Sequence, residues 1–162
     1  MARVGGTAKL LGFAGLLPQG AAVLLMLLAR GSYGDLGGLL TLAGYGIAVA
    51  YGALILSFLG GIWWGYAMRR EGGQGALAVL AVVPSLVAFA CMIAAVWTLP
   101  HEPSPWPALV LGSAIMLTLP VDRRLVRDGE APANWMSLRV PLSVGLGSLT
   151  IAAGVILDLG LR

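Results

Sequence analysis

The sequence predicts an all-α integral membrane protein, a bundle of five transmembrane helices with its N-terminus inside and its C-terminus outside. Three observations support this. Only 10% of the 162 residues are charged and 59% are hydrophobic, whereas a soluble domain carries roughly 25% charged residues to cover its surface. Apolar runs also recur at lengths near the about 20 residues that a membrane-spanning helix needs. Finally, the chain has 24 glycines, and small residues are what packed membrane helices place at their contacts.

The apolar runs divide one domain, residues 1–162, into five spans. Backbone polar groups inside hydrocarbon must be satisfied within the segment, so each run is expected to be a helix. The fourth run is the shortest and is flanked by prolines, of which Pro107 suits the first turn of a helix. The predicted spans are 8–29, 36–66, 74–99, 106–121 and 138–159.

The distribution of lysine and arginine predicts the orientation. The segment before the first span and the loops after the second and fourth spans hold eight of these residues, and the opposite side holds two. Cytoplasmic loops carry the excess of positive charge. The side with eight is therefore expected to be the cytoplasmic (or matrix) side.

Small residues form faces on several predicted helices. At 100° per residue, the fifth span carries one small and polar stripe, and the second span carries two small faces. Such faces predict close helix packing, although a glycine-rich composition also produces some of them by chance. The fifth-span stripe is Arg139, Ser143, Gly147, Thr150, Gly154 and Asp158, and the glycines we expect at helix contacts are Gly52, Gly61, Gly65, Gly147 and Gly154.

Hydrogen-bonding side chains inside the spans are candidates for ligand binding. An unpaired amide such as that of Gln19 is costly in an apolar medium, and ligand pockets are mostly apolar with a few convergent polar groups. Trp63 and Trp64 could stack on a ligand, or they could only anchor the helix end at the headgroup level. The candidate set is Gln19, Tyr45, Tyr51, Ser57, Trp63, Trp64 and Ser85.

Asp122 and Arg139 are predicted to form a pair at the cytoplasmic interface. Both residues lie at the same membrane level, at the end of the fourth span and the start of the fifth. An ion pair there would fix these two spans against each other.

The sequence shows no catalytic or metal-binding constellation. It has one histidine, His101, and one cysteine, Cys91, which is too few for a zinc site. No phosphate loop or nucleophile elbow is present, and no acidic residue lies deep in a span as a proton-coupled pump would require. We therefore expect no enzymatic activity, no cofactor and no nucleic-acid partner.

The segment from Tyr51 to Gly65, together with Pro84-Ser85-Leu86, Asp122 and Trp135-x-x-Leu138-Arg139, resembles a functionally uncharacterised family over most of the chain. That family comprises short bacterial inner-membrane proteins and the eukaryotic transmembrane protein 69. The resemblance implies an energy-transducing membrane and supplies no activity. A histidine is common in the family's motif where this chain has Trp63, so no metal or proton role carries over to that position.

Two functions are compatible with these observations. The first is a non-enzymatic accessory or assembly subunit, or a homo-oligomer, which packs against another membrane protein through small-residue faces. The alternative is binding or transport of a small lipophilic molecule such as a quinone, a tetrapyrrole or a lipid. The lipid bilayer is a partner in both.

Overall fold

The computed structural model describes residues 4–30, 35–98 and 102–161, and within these ranges the chain is helical and contains no strand. The two longest helices, α3 and α7, have 34 and 27 residues. In chain order the helices are α1 Gly6–Ala14, α2 Leu17–Ala29, α3 Asp35–Met68, α4 Gln74–Thr98, α5 Trp106–Leu117, α6 Leu119–Arg127 and α7 Trp135–Leu161.

Four helical runs are long and apolar enough to cross a membrane. They are Gly6–Ala29, Asp35–Met68, Gln74–Thr98 and Trp135–Gly160. They coincide with the predicted spans 8–29, 36–66, 74–99 and 138–159, except that residue 99 lies outside the described ranges. The chain therefore has the helices of a multi-pass membrane protein.

The remaining predicted span, 106–121, differs from the prediction because its helix is divided at Thr118. Helix α5 has 12 residues, a length of about 18 Å at 1.5 Å per residue, which is too short to cross alone. Pro120 lacks the N–H that would donate to the carbonyl four residues earlier, and its ring crowds that carbonyl. At the same break, the carbonyl of Ile115 accepts a hydrogen bond from the Thr118 hydroxyl at 2.6 Å.

A proline also divides the first run into α1 and α2. Pro18 lies in the first turn of α2, where its missing N–H costs least. The chain turns at Gly15 and Leu16, and the Gly15 carbonyl accepts a hydrogen bond from the Tyr51 hydroxyl at 2.7 Å. A side chain of α3 thereby satisfies a backbone group exposed by the break.

Helix α3 lies at the centre of the bundle and contacts α2, α4, α5 and α7. It packs against α7 at Gly52, where an added Cβ would lie 3.3 Å from the Thr150 methyl group. Helices α5 and α7 approach more closely still, at Gly112 and Gly147. A Cβ on Gly147 would lie 2.7 Å from the carbonyl oxygen of Gly112, so both positions need glycine.

The contacts of the other predicted packing glycines are mixed. A Cβ on Gly154 would lie 3.0 Å from the Pro105 carbonyl oxygen, so Gly154 sits at a helix contact. Gly61 and Gly65 are exposed and have no atom within 4 Å of an added Cβ, so they lie at no helix contact within the described chain. The neighbouring Gly60 packs against the Ala81 carbonyl of α4. At this end of α3 the contact with α4 is therefore made by Gly60.

Candidate functional site

Charged residues gather at one end of the bundle, which we call the basic end. Here α3 ends, α4 begins and the α6–α7 connection lies. Among the described residues this end has seven basic and four acidic side chains, whereas the opposite end has Arg30 against three acidic side chains. The basic residues at this end are Lys9, Arg69, Arg70, Arg123, Arg124, Arg127 and Arg139, and the acidic ones are Glu71, Asp122, Asp128 and Glu130.

A buried ion pair lies at the centre of the basic end. Asp122 of α6 accepts a hydrogen bond from the Nε of Arg139 at 2.6 Å through Oδ2, and one from the indole Nε1 of Trp63 at 2.9 Å through Oδ1. The Nη2 of Arg139 donates to the Thr118 hydroxyl at 3.1 Å. We call these four residues the Asp122 network. It joins α3, α6, α7 and the turn between α5 and α6.

Because the network is buried, its ion pair is strong, but its remaining polar atoms must also be hydrogen-bonded. The side chains of Asp122 and Arg139 are only 1% and 6% exposed. Removing two charges from water costs several kcal/mol per ion, and the pair offsets this only when its remaining polar atoms are also bonded. Here both carboxylate oxygens accept a hydrogen bond, and the guanidinium bonds two side chains. The geometry indicates a structural role, because both oxygens of the carboxylate already accept hydrogen bonds from side chains of the protein.

Two further contacts tie the basic end together. Arg70, just after α3, donates from Nε and Nη2 to the two carboxylate oxygens of Glu130 at 2.9 and 2.6 Å. This hydrogen bonding raises the pKa of Arg70 above its ordinary value. Near the N-terminus, the side chain of Asn134 bonds both the N–H and the carbonyl of Val4, at 2.8 and 3.3 Å. The segment before α1 and the loop before α7 are thereby held at the same end.

The polar side chains in the middle of the bundle pair with one another. Gln19 Nε2 donates to the Thr150 hydroxyl at 2.8 Å and to the Ala48 carbonyl at 3.3 Å. Within the described ranges, Gln19 Oε1 and the hydroxyl of Ser143 are buried and have no hydrogen-bond partner. The amide therefore joins α2, α3 and α7, with half of its capacity unused.

The other polar candidates also form contacts between elements. The Ser57 and Ser85 hydroxyls lie 2.9 Å apart and link α3 to α4. Tyr45 is buried near the opposite end, where its hydroxyl donates to the Ser104 carbonyl at 2.6 Å. Trp64, in contrast, is half-exposed on the outer surface of α3.

The structure does not bring the predicted ligand-binding residues together around a cavity. Five cavities of about 190–410 Å³ lie between the described helices. None of these five is lined by Gln19 or Tyr51, and of the whole predicted set only Trp63 lines one, between α4 and α5. Across the residues that the structure describes, no three His, Cys, Asp or Glu side chains group as metal ligands. His101 lies outside these residues.

The sequence predicts the Asp122–Arg139 pair, and the structure has these two side chains in contact. It does not predict the other two members of the network. The sequence favours a ligand-stacking or interfacial role for Trp63, whereas the Trp63 ring is buried and its N–H bonds Asp122. No sequence pattern indicates Thr118. The topology could have indicated both Trp63 and Thr118 as neighbours of Asp122, because the end of α3 and the junction of α5 with α6 lie at the same end of an antiparallel bundle.

Comparison with known proteins gives a family and no activity. No curated protein and no solved structure is significantly similar to the chain. The family model for a protein of unknown function, DUF3429, matches residues 4–155, which include all four residues of the Asp122 network. The chain therefore belongs to the DUF3429 family of proteins of unknown function.

Proposed function

We propose that the chain is a non-enzymatic multi-pass inner-membrane protein, which acts as an accessory or assembly subunit of a larger complex or as a homo-oligomer. One observation carries this proposal. The polar side chains that could have served a substrate or ligand pair with one another across helices, as Gln19 does with Thr150 and Ser57 with Ser85. Such pairing stabilises a bundle and leaves few groups for chemistry.

The proposal includes five membrane crossings, with the basic end in the cytoplasm. The Arg70–Glu130 contact supports this number. Arg70 follows α3 and Glu130 follows α6, so the chain from α4 through α6 leaves the basic end and returns to it. The segment that returns to the basic end consists of α5 and the start of α6, residues 106–121. It is about 24 Å long at 1.5 Å per residue. The excess of arginine at this end supports the orientation.

The location belongs to the same proposal. A bacterial inner membrane, and a relation to the eukaryotic transmembrane protein 69, rest on the resemblance of the Tyr51–Gly65 segment described above. Membership of an uncharacterised family is compatible with both and adds no activity to either.

The outer surface of α3 is the proposed contact with a partner. Gly61 and Gly65 lie four residues apart on this surface, with open space beside each. Phe58 and Trp64 flank them and are 64% and 47% exposed. Paired small residues at this spacing allow the backbones of two membrane helices to approach closely, and the aromatic rings add contact area.

The experiment is purification in mild detergent, with the oligomeric state and bound proteins determined by size exclusion and native mass spectrometry. Gly61→Leu and Gly65→Leu should remove the second copy or partner and leave a folded monomer. Gly20→Leu is the matched control, because Gly20 of α2 also has open space around it. A wild-type chain that is monomeric and free of other proteins would contradict the proposal.

The alternative, binding or transport of a lipophilic molecule, has less support. Its candidate residues Gln19, Tyr45, Tyr51, Ser57 and Ser85 line none of the five cavities. A quinone or tetrapyrrole that co-purifies with the chain in the same experiment would favour it.

A further inference from the structure

A groove runs along the seam between α4 and the α5–α6 pair. It consists of two cavities of about 270 Å³ each, which share Leu80 and Val121 as lining residues. Pro84 and Pro120 lie on its two walls, Pro84 within the continuous helix α4 and Pro120 in the first turn of α6. Together the cavities exceed the roughly 300 Å³ of the smallest ligand pockets.

The groove has the depth of one bilayer leaflet. Along α4 its lining extends from Ala76 to Val87, a rise of eleven residues or about 17 Å at 1.5 Å per residue. The hydrocarbon core of a bilayer is about 30 Å thick, so a leaflet is about half of this. The groove therefore reaches from the basic end to about the middle of the membrane, and below its mouth the lining is almost wholly apolar.

Arginine side chains stand at the mouth of this groove. Arg70 and Arg124 line the cavity nearest the basic end. The Arg124 side chain is 71% exposed, and its Nε lies 3.6 Å from the carboxylate of Asp128. The same carboxylate lies 3.4 Å from the Nε of Arg127. One carboxylate is thus shared by two guanidinium groups, so the positive charge of Arg124 at the mouth is only partly neutralised.

We propose that this groove binds an anionic glycerophospholipid from the leaflet at the basic end. An acyl chain lies along Leu80 and Val121 toward Val87, and the phosphate lies at the mouth beside Arg124. Basic pockets between transmembrane helices are suited to anionic headgroups on the cytoplasmic side. The site is separate from the proposed partner surface at Gly61 and Gly65, so the two proposals can fail independently.

The dimensions favour a lipid over a partner helix. A helix with its side chains is about 10–12 Å across, and two cavities of about 270 Å³ spread over this length are narrower than that. An acyl chain fits such a seam, and the lipid phosphate complements the positive charge that Arg124 places at the mouth.

The test uses the full-length protein in detergent, titrated separately with phosphatidylglycerol and phosphatidylcholine and followed by native mass spectrometry. We expect phosphatidylglycerol to bind the wild type more tightly. Arg124→Gln should weaken this binding about fivefold, which corresponds to the about 1 kcal/mol contributed by one arginine near an anionic lipid. Arg127→Gln is the matched control, since its side chain is 75% exposed on the same helix and does not line the groove. It should retain the wild-type affinity.

A second pair of variants tests the apolar part. Leu80→Trp should fill the junction of the two cavities and reduce binding of both lipids, whereas Leu86→Trp, on the exposed surface of the same helix, should not. Equal binding of the two lipids by the wild type, equal losses for Arg124→Gln and Arg127→Gln, or normal binding by Leu80→Trp would each overturn the proposal. A wild-type protein that carries no phosphatidylglycerol adduct, whether monomer or dimer, would also overturn it.

Discussion

Asp122 of α6 bonds Arg139 of α7 through one oxygen, at 2.6 Å, and Trp63 of α3 through the other, at 2.9 Å. Three helices, α3, α6 and α7, therefore meet on one buried carboxylate. The polar contacts of Gln19, Tyr45 and Ser57 in the interior each link two or three elements, and they join uncharged groups. The ion pair is consequently the position at which the fold is most sensitive to losing a single group.

Loss of one partner of this pair should be costly, and loss of both should not be additive. Arg139→Met and Asp122→Asn each leave one buried charge without its counter-charge, for which about 3–5 kcal/mol of destabilisation is expected. The double variant buries no charge, so it should cost clearly less than the two single losses together. Unfolding of the four proteins in mixed micelles gives the coupling free energy.

An exposed ion pair on the same helix provides the control. Arg124 and Asp128 lie 3.6 Å apart with side chains 71% and 37% exposed. Arg124→Met should therefore cost no more than about 1 kcal/mol. Additive losses at Asp122 and Arg139 would show that the buried pair contributes nothing as a pair.

Gly147 should tolerate no side chain. A Cβ there would lie 2.7 Å from the Gly112 carbonyl oxygen and 2.8 Å from the Met116 side chain. The backbone oxygen cannot move without separating α5 from α7, so Gly147→Ala should destabilise by about 1–3 kcal/mol, as overpacking does. The same unfolding assay measures it.

Gly46→Ala is the matched change in open space. Here alanine only improves helix propensity, so stability should rise by up to about 1 kcal/mol. If Gly147→Ala behaved in the same way, the close contact of α5 with α7 would not exist in the folded protein.

The Gln19–Thr150 contact should respond asymmetrically to substitution. Thr150→Val removes the acceptor at 2.8 Å from Gln19 Nε2 and leaves a buried amide poorly satisfied. Gln19→Leu removes the whole amide, while the Thr150 hydroxyl keeps its bond to the Leu146 carbonyl at 2.7 Å. Because orphaned buried groups cost more than deleted ones, Thr150→Val should lose about 1 kcal/mol more than Gln19→Leu.

The double variant should then be no less stable than Thr150→Val alone. A larger loss for Gln19→Leu than for Thr150→Val would contradict this account. It would mean that Gln19 Oε1, which accepts no hydrogen bond from the described residues, has a partner from outside the chain.

The sequence predicts the helices well because length and apolarity decide them, and four of its spans have counterparts in the structure. It predicts helix faces less well. Gly60, Gly61 and Gly65 are the same residue type in one short segment, and only the position of α4 beside α3 in the structure shows that Gly60 is the contact. Pro120 explains why the 106–121 helix is divided at Thr118. Proline is also tolerated within membrane helices, however, so its presence in the sequence does not by itself predict the break.

The candidate site was predictable in part for a similar reason. Asp122 and Arg139 have opposite charges at the same membrane level, which is enough to suggest a pair. The bond from Trp63 depends on the rotation of α3, because Trp63 is buried and the adjacent Trp64 is exposed. No pattern in the local sequence distinguishes these two rings.

The five-span topology can be tested by cysteine labelling from each side of the membrane, in a Cys91→Ala background. Arg127→Cys and Glu102→Cys are suitable positions, since both side chains are exposed at opposite ends of the bundle. Gly129 is less suitable, because its φ of +76° strains any other residue. With five crossings and the basic end inside, Arg127→Cys should react only from the cytoplasmic side and Glu102→Cys only from the outside. If α5 and α6 entered and left the membrane on one side, both cysteines would react from that side. That result would remove both the fifth crossing and the predicted orientation of α7.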